Sequence, residues 1–243
     1  MAPLAVVIPA LQEARRLPLL LADLAAAPPG LIAECLVVDG GSSDGTAALA
    51  HLAGATTVIS PPGRGLQLRI GVAASRAPWL LLLHADARLS PGWGQAVQRA
   101  IHHSEAAAER PCAWCFDLAV AGSGLPLRLL ERAVAWRSRW RQLPYGDQGL
   151  LLPRALLEAA GGIAPLPLME DLDLMLRLRR IAAIRPLGLP LTVDGRRWRR
   201  LGVLGTARRN AALRRAWRRG CSAEELAARY YDGPTAAHLR CRR

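Results

Sequence analysis

Lysine is absent from this chain of 243 residues, so all 32 of its basic residues are arginine. That absence removes a P-loop from consideration, because its GxxxxGKS or GxxxxGKT pattern needs an ammonium on the phosphates. Long apolar runs are missing too. The stretch Leu17 to Leu24 is interrupted by Pro18 and Asp23, and none reaches the 18 or so apolar residues that a spanning helix requires. MAPLAVVIPALQEARR has no basic region ahead of its apolar stretch and sets Glu13 soon after it, unlike a signal peptide, so a cytoplasmic location is expected. The five cysteines are an odd number, and free thiols are expected. Cys112 and Cys115 form a CxxC pair without a second pair or an HxxxH partner, and they run into strand-like FDLAV, where residues three apart point to opposite faces. A zinc or dithiol centre is not expected. No RNP, helix-turn-helix or zinc-finger pattern is present, so no specific nucleic-acid partner is expected either.

What is present is a strong positive balance, +13, which draws polyanions such as nucleotide phosphates or an anionic membrane. Guanidinium forks suit both phosphate and carboxylate, although a GC-rich genome produces the same bias. LAVVIP, ECLVVDGG, TTVIS and PWLLLLHAD read as buried strands separated by helical stretches, the rhythm of a parallel sheet with right-handed crossovers. Beyond about residue 105 the rhythm changes. A strand near Trp114 to Val120 leads to a helix over Leu125 to Trp140, with Leu127, Leu130, Val134 and Trp136 partly at helical spacing, and helices follow near Arg154 to Ala160 and Glu170 to Arg180. The expected organisation is an α/β domain over 1–195, divided into halves 1–105 and 106–195, with a basic helical extension over 196–243.

Acids recur at strand ends and helix starts. In VVDGGSSDGT, Asp39 ends a strand, Gly40 permits a tight turn, and the next helix directs amides outward, as a nucleotide-binding turn does. Asp44 suits a helix cap as well. Arg64 lies between two glycines ahead of a helix, where it can reach base or phosphate, or decorate a flexible loop. LLLLHADARL runs a buried strand into His84 and Asp86. One carboxylate plus two phosphate oxygens is a sufficient seat for Mg²⁺, which retains its waters, and an imidazole beside it tolerates Mn²⁺. His84 reads equally as a core histidine bonded to a carbonyl. PLMEDLDLMLRLRR sets Glu170, Asp171 and Asp173 at a helix start, where the macrodipole favours acids. A general base could be among them, with the raised pKa that an apolar wall confers.

Taken in order, these motifs resemble family 2 glycosyltransferases of the GT-A fold. VVIPALQEARRL resembles the opening strand and acidic turn, VVDGGSSDGT the nucleotide loop, HADARL the metal motif and MEDLDLMLRL the catalytic-base motif. HADARL, YGDQGLLLPRALLEAAGG, the MED motif and GRRWRRLG are similar to a bacterial subgroup found beside radical-enzyme genes. The resemblance implies a Rossmann-like, mostly parallel central sheet flanked by helices, and an inverting, metal-dependent transfer (Mg²⁺ or Mn²⁺) from a nucleotide-diphosphate sugar, UDP-linked, to an acceptor hydroxyl. Carried over by position, Pro9, Glu13, Asp39, Gly40, Asp44 and Arg64 belong to the nucleotide, Asp86 with His84 to the metal, and Asp171, then Glu170, to the base. Asp147 and Gln148 border the acceptor. Two positions depart from the family pattern: His84 replaces the first acid of Asp-x-Asp, and Gln12 replaces an asparagine.

The extension has its own pattern. Arginines crowd Arg196 to Arg219, and on a helix from Thr206 to Arg219, Leu213, Ala216 and Trp217 share a face between basic flanks. That face suits either a membrane interface, with peripheral attachment and a lipid acceptor, or packing on the domain itself. Two other functions stay open at this point. A sugar-nucleotide nucleotidyltransferase would need a lysine on the phosphates, and a basic nucleic-acid-binding protein would leave the acids at strand ends without a role.

Overall fold

A computed structural model describes residues 3–106 and 110–232. Eight strands form one mixed sheet: β1 (Leu4–Ala10), β2 (Ile32–Asp39), β3 (Thr56–Ile59), β4 (Trp79–Leu82), β5 (Ala87–Leu89), β6 (Cys112–Val120), β7 (Leu150–Pro153) and β8 (Ala183–Val193). Their order is β3-β2-β1-β4-β7-β6-β8-β5. The first four strands in chain order pair in parallel. β7 runs antiparallel to both β4 and β6, and β8 runs parallel to β6 but antiparallel to β5. Around the sheet lie helices α1 (Leu17–Ala25), α2 (Thr46–Leu52), α3 (Arg64–Ala74), α4 (Trp93–Ala106), α5 (Leu125–Arg141), α6 (Arg154–Ala159), α7 (Glu170–Ile181), α8 (Arg196–Arg218) and α9 (Ala223–Asp232), with a 3₁₀ turn at Gly146–Gln148.

The alternation of strand side chains explains why both faces are covered. In β1, Leu4, Val6 and Ile8 join Leu17, Leu20, Trp93 and Val97 on one side. Ala5 and Val7 turn to the other side, against Leu156, Met175 and Leu178. Each fully buried leucine or valine contributes about 1.5–3 kcal/mol. Pro18 sits in the first turn of α1, and Ser222 accepts from the Glu225 amide at 3.1 Å to open α9.

β8 was not anticipated, and its composition explains why. AIRPLGLPLTV carries two prolines and a glycine, residues that ordinarily exclude a central strand. The strand accommodates them through a register shift opposite Cys115 to Asp117, where Pro186 and Pro190 fall. β4 also ends earlier than expected, at Leu82, so His84 and Asp86 occupy the turn between β4 and β5 rather than a shared strand face. Cys35, Cys112 and Cys115 are free thiols as expected. Burial pushes Cys35 up to about 11, and burial followed by the Asp117 charge pushes Cys115 up to about 12, so neither is a reactive thiolate at neutral pH. Cys221, by contrast, is disulfide-bonded.

The Leu213 and Ala216 face of the arginine-rich stretch does not meet solvent, although Leu204 nearer its start is exposed. Leu213, Ala216, Leu226 and Ala227 are buried in one cluster with Leu168, Met169 and Leu172, and Trp217 and Tyr230 pack against it. The face considered for a membrane is thus covered by the chain itself, because its leucine and alanine find an apolar loop ahead of α7. Gly202 is non-helical inside α8 and kinks it. No described helix is long and apolar enough to cross a membrane.

Candidate active site

Beyond the carboxyl ends of β4 and β8 lies a cleft of about 130 Å³, the position where open α/β sheets receive ligands. Arg64, His84, Asp86, Asp171, Asp194 and Arg196 line one part of it. Tyr145, Asp147, Asn210, Leu213, Arg214 and Tyr230 line another, so α8 and α9 supply a wall. Asp147 is thus a cleft-lining residue.

Asp86 faces an arginine that the sequence reading had assigned to the extension. Arg196 Nη2 is 3.5 Å from Asp86 Oδ2 and bonds Glu13 Oε1 at 2.6 Å. Its backbone amide donates to Asp194 Oδ1 at 2.8 Å. Arg16 joins the same group, with Nε 2.5 Å from Asp194 and Nη1 3.1 Å from Glu13. The carboxyl of Asp194 is subject first to burial, which raises its pKa, but the Arg16 and Arg196 contacts prevail and hold it below its usual value. Glu13 thus reaches the cleft through arginines rather than lining it. The available signal for Arg196 was GRRWRRLG immediately after Asp194.

On the opposite side, Arg64 Nε bonds Glu170 Oε1, and Arg64 Nη1 lies 3.4 Å from His84 Nε2. A guanidinium only donates, so that ring nitrogen is the acceptor in this contact. The ligand role considered for His84 is thereby in competition with Arg64. No group of three or more metal-ligating side chains occurs among the described residues. Asp86 lines the cleft with Arg196 Nη2 3.5 Å away, and one carboxylate is a sufficient protein ligand for a cation whose other ligands are phosphate oxygens and water.

Glu170 and Asp171 are adjacent in sequence but occupy different surroundings. Met169 adopts a left-handed φ of 69° at the start of α7, a conformation costly for a side chain and concentrated at functional sites. Asp171 then enters the cleft, accepting from the Gly146 amide at 2.9 Å and the Leu172 amide at 2.7 Å. Burial works to raise its pKa, but the Arg64 charge and these amides outweigh it, and the carboxyl is held below its ordinary value. Glu170 is 2% exposed, and its Oε2 is without a hydrogen-bond partner. It backs onto an apolar cavity lined by Leu68, Leu82, Ile163, Leu174 and Met175. Burial, with the Asp171 charge, raises its pKa despite Arg64. The raised value expected of the base therefore falls on Glu170, which holds Arg64, while Asp171 is ionised and faces the cleft. A methyl at Gly146 would approach His84 Nε2 to 2.8 Å and Asp171 Oδ2 to 3.4 Å, so this position has room only for glycine.

The loop after β2 is organised inward. Asp39 is 1% exposed. Its Oδ2 accepts from the Gly41 and Ser42 amides at 3.2 and 2.8 Å, and its Oδ1 from the Ser42 hydroxyl at 2.5 Å. Asp44 accepts from the Ala14 and Thr46 amides and the Thr46 hydroxyl. That hydroxyl contact leads the causes that lower its pKa. Neither acid lines the cleft; both shape a loop. A Cβ at Gly40 would lie 3.2 Å from Gln67 Nε2 and from the Pro62 backbone, a tight fit that favours glycine here. Gln67, which the sequence did not single out, bonds the Ala10 and Val38 carbonyls at 2.8 Å each and ties together the ends of β1 and β2. Pro9 is buried within β1 opposite Val38. Gln148 does not border the cleft. It is fully buried, accepting from Ser138 at 2.9 Å and Arg137 at 3.1 Å and donating to the Phe116 carbonyl at 3.0 Å. The polar GDQG motif thus sends Asp147 outward and Gln148 into the interior.

Comparison with known proteins agrees with this geometry. Residues 5–114 match the family model described as Glycosyl transferase family 2. Uncharacterised glycosyltransferases of Mycobacterium bovis and Mycobacterium tuberculosis are 41% identical over 88 residues, 36% of this chain and 38% of their own length. Over residues 5–114, a little under half of its length, the chain is thus similar to family 2 glycosyltransferases. Its fold is that of the GT-A enzymes. S. aureus TarS (1–349) superposes with a TM-score of 0.62 at 14% identity, over 95% of this chain and 70% of that one. Mycobacterium tuberculosis glucosyl-3-phosphoglycerate synthase, solved with Mn²⁺, UDP and glucosyl-3-phosphoglycerate, has a TM-score of 0.59 at 22% identity, over 87% and 78%.

Proposed function

We propose that this protein transfers a sugar from a nucleotide-diphosphate donor, of the UDP type, to an acceptor hydroxyl with inversion at the anomeric carbon. The observation that carries the reading is Asp171: an ionised carboxylate, fixed by two amides, in the same cleft as Asp86, Arg64 and Arg196. Asp171 accepts the proton as the acceptor oxygen forms its bond to the anomeric carbon. The bond from that carbon to the diphosphate oxygen breaks on the opposite face, and the nucleoside diphosphate departs with the electron pair.

Arg64 and Arg196 are placed to receive the charge that develops on the leaving diphosphate, and their guanidinium forks fit phosphate oxygens. Arg196 would then exchange its hold on Glu13 and Asp86 for the donor. Asp86 would hold Mg²⁺ or Mn²⁺, which supplies Lewis-acid stabilisation of the same oxygens. Support for this assignment includes the glucosyl-3-phosphoglycerate synthase structures with Mn²⁺ and UDP-glucose or with Mg²⁺ and UDP. Asp39 and Asp44 set the loop that flanks the donor rather than touching it. The wall from α8 and α9 closes the acceptor side, so the extension belongs to the working unit.

Calorimetric titration with UDP, with and without Mn²⁺, tests the reading. Binding should be metal-enhanced in the wild type, and the enhancement should vanish in Asp86→Ala. Absence of binding to any nucleoside diphosphate would overturn the donor-site assignment.

A further inference from the structure

Of the α5 residues at partly helical spacing, Trp136 does not join the buried face. Val134 is buried with Leu118, Val120 and Val193, and Leu127 and Leu130 pack against them. Trp136 lies on the other side and is 57% exposed, with Leu125 at 70%, Leu129 at 53% and Trp140 at 76%. At about 100° per residue, these four positions fall within an arc of about 60°, and the stripe runs about 22 Å along the helix. The inner face centres on the opposite side of the helix. α5 therefore carries two apolar faces, one serving the core and one facing water.

We propose that the outer face of α5 is a docking surface for an anionic lipid bilayer, on which the helix lies parallel to the membrane plane. Three observations favour lipid as the occupant. First, the stripe consists of leucine and tryptophan, and tryptophan ring systems settle at the headgroup level. Second, arginines line one of its flanks. Arg132 borders the arc, exposed and in no ion pair among the described residues, and Arg128 and Arg139 on the same flank pair with Glu131 and Asp117. An apolar face with a basic flank on a protein of charge +13 suits an anionic interface. Third, a second copy is a poor occupant. A two-fold contact through this stripe would bring the same arginines of two strongly cationic chains together.

The proposal does not depend on the transferase reading, though it adds to it. Arg137 on α5 stacks over the Tyr145 ring, 3.8 Å from its centroid, and Tyr145 lines the cleft. A membrane under the outer face would lie roughly one helix diameter, about 10 Å, from that wall. A lipid-linked acceptor would then reach Asp171 from the bilayer.

The test is co-sedimentation of the full chain with vesicles of phosphatidylcholine containing about 30% phosphatidylglycerol, with tryptophan emission recorded alongside. The wild type should bind with a blue shift, bind pure phosphatidylcholine much less, and release as salt rises. The double variant Trp136→Ala/Trp140→Ala should lose about tenfold or more in partitioning. Arg132→Gln should lose several-fold. Leu52→Ala, which removes an 80% exposed leucine on α2, should change nothing. Thermal melts of all variants should match the wild type, because every altered side chain is exposed. Equal binding by the double variant, equal binding to neutral vesicles, or a wild-type dimer in sedimentation velocity that the double variant abolishes would each overturn the proposal. UDP titration of the same double variant should be unchanged, which separates failure here from failure of the donor site.

Discussion

Two groups of acids stand at strand ends and helix starts in this protein, and their surroundings give them different work. Asp39 and Asp44, after β2, direct their oxygens to the amides and hydroxyls of their own loop. Asp86 and Asp171, near β4 and α7, line the cleft, with Asp171 steadied by the Gly146 and Leu172 amides. Residue type and position along the strand rhythm are alike in both groups. What separates them is the supply of local donors. Ser42 and Thr46 offer hydroxyls within three residues of Asp39 and Asp44, whereas HADARL has no hydroxyl close to Asp86, so its charge is met by Arg196 from the far end of the chain. An acid with short hydroxyl neighbours folds a loop, and an acid without them remains available to a ligand.

The largest expected effect comes from the second group. Asp171→Asn should lower sugar transfer by about 10²–10⁴-fold, the usual worth of a general base, while UDP affinity stays within about twofold of the wild type. Release of UDP from UDP-sugar, followed by a coupled assay, reads the first, and calorimetry the second. A retained rate would move the base elsewhere.

An intermediate effect is expected from the first group. Asp39→Ala leaves the Gly41 and Ser42 amides without their acceptor, at a cost of about 1–3 kcal/mol, measured as a lower urea midpoint. Donor binding should weaken with the loop and not vanish. If stability held while UDP binding disappeared, Asp39 would be a direct ligand and the contrast between the groups would collapse.

The smallest effect concerns pH, and Glu170 and Asp171 oppose each other. The folded-state pKa of Glu170 is raised above 4.5, so its contribution to stability is complete below that pH and is lost as pH rises through the folded value. The folded-state pKa of Asp171 is lowered below 3.8, so its contribution is present above that value and is lost as pH falls further. Urea unfolding from acid to neutral pH should show both trends. Glu170→Gln should flatten the decline above pH 4.5 and leave the acid limb in place.

The parallel half of the sheet was legible because its strands are uninterrupted apolar runs, each followed by glycine or a helix start. Asp86, Asp147 and Asp171 were likewise visible as acids at turns. β8 was hidden by Pro186 and Pro190, whose effect is absorbed by a register shift that only the partner strand reveals. Arg196 and Arg214 were hidden by abundance: both line the cleft but stand in an arginine-crowded stretch, where only GRRWRRLG after Asp194 marks the first of them. Gln148 was misread because a polar residue in a Gly-rich segment ordinarily faces water. Here Ser138, Arg137 and Phe116 satisfy it in the interior. The burial of the α8 stripe depended on Leu168 and Met169, an apolar loop with no periodicity to announce it.

The contact between Arg196 and Glu13 also bears on how the protein is made. It joins residues 183 positions apart, so the chain must emerge almost entirely from the ribosome before the two can meet. The parallel strands that carry the opening loop can pair long before then, since their partners lie nearby in sequence. Synthesis therefore produces the frame early and the cleft late. Any nascent chain halted before α8 would display Glu13 and Asp86 with no arginine from that helix between them.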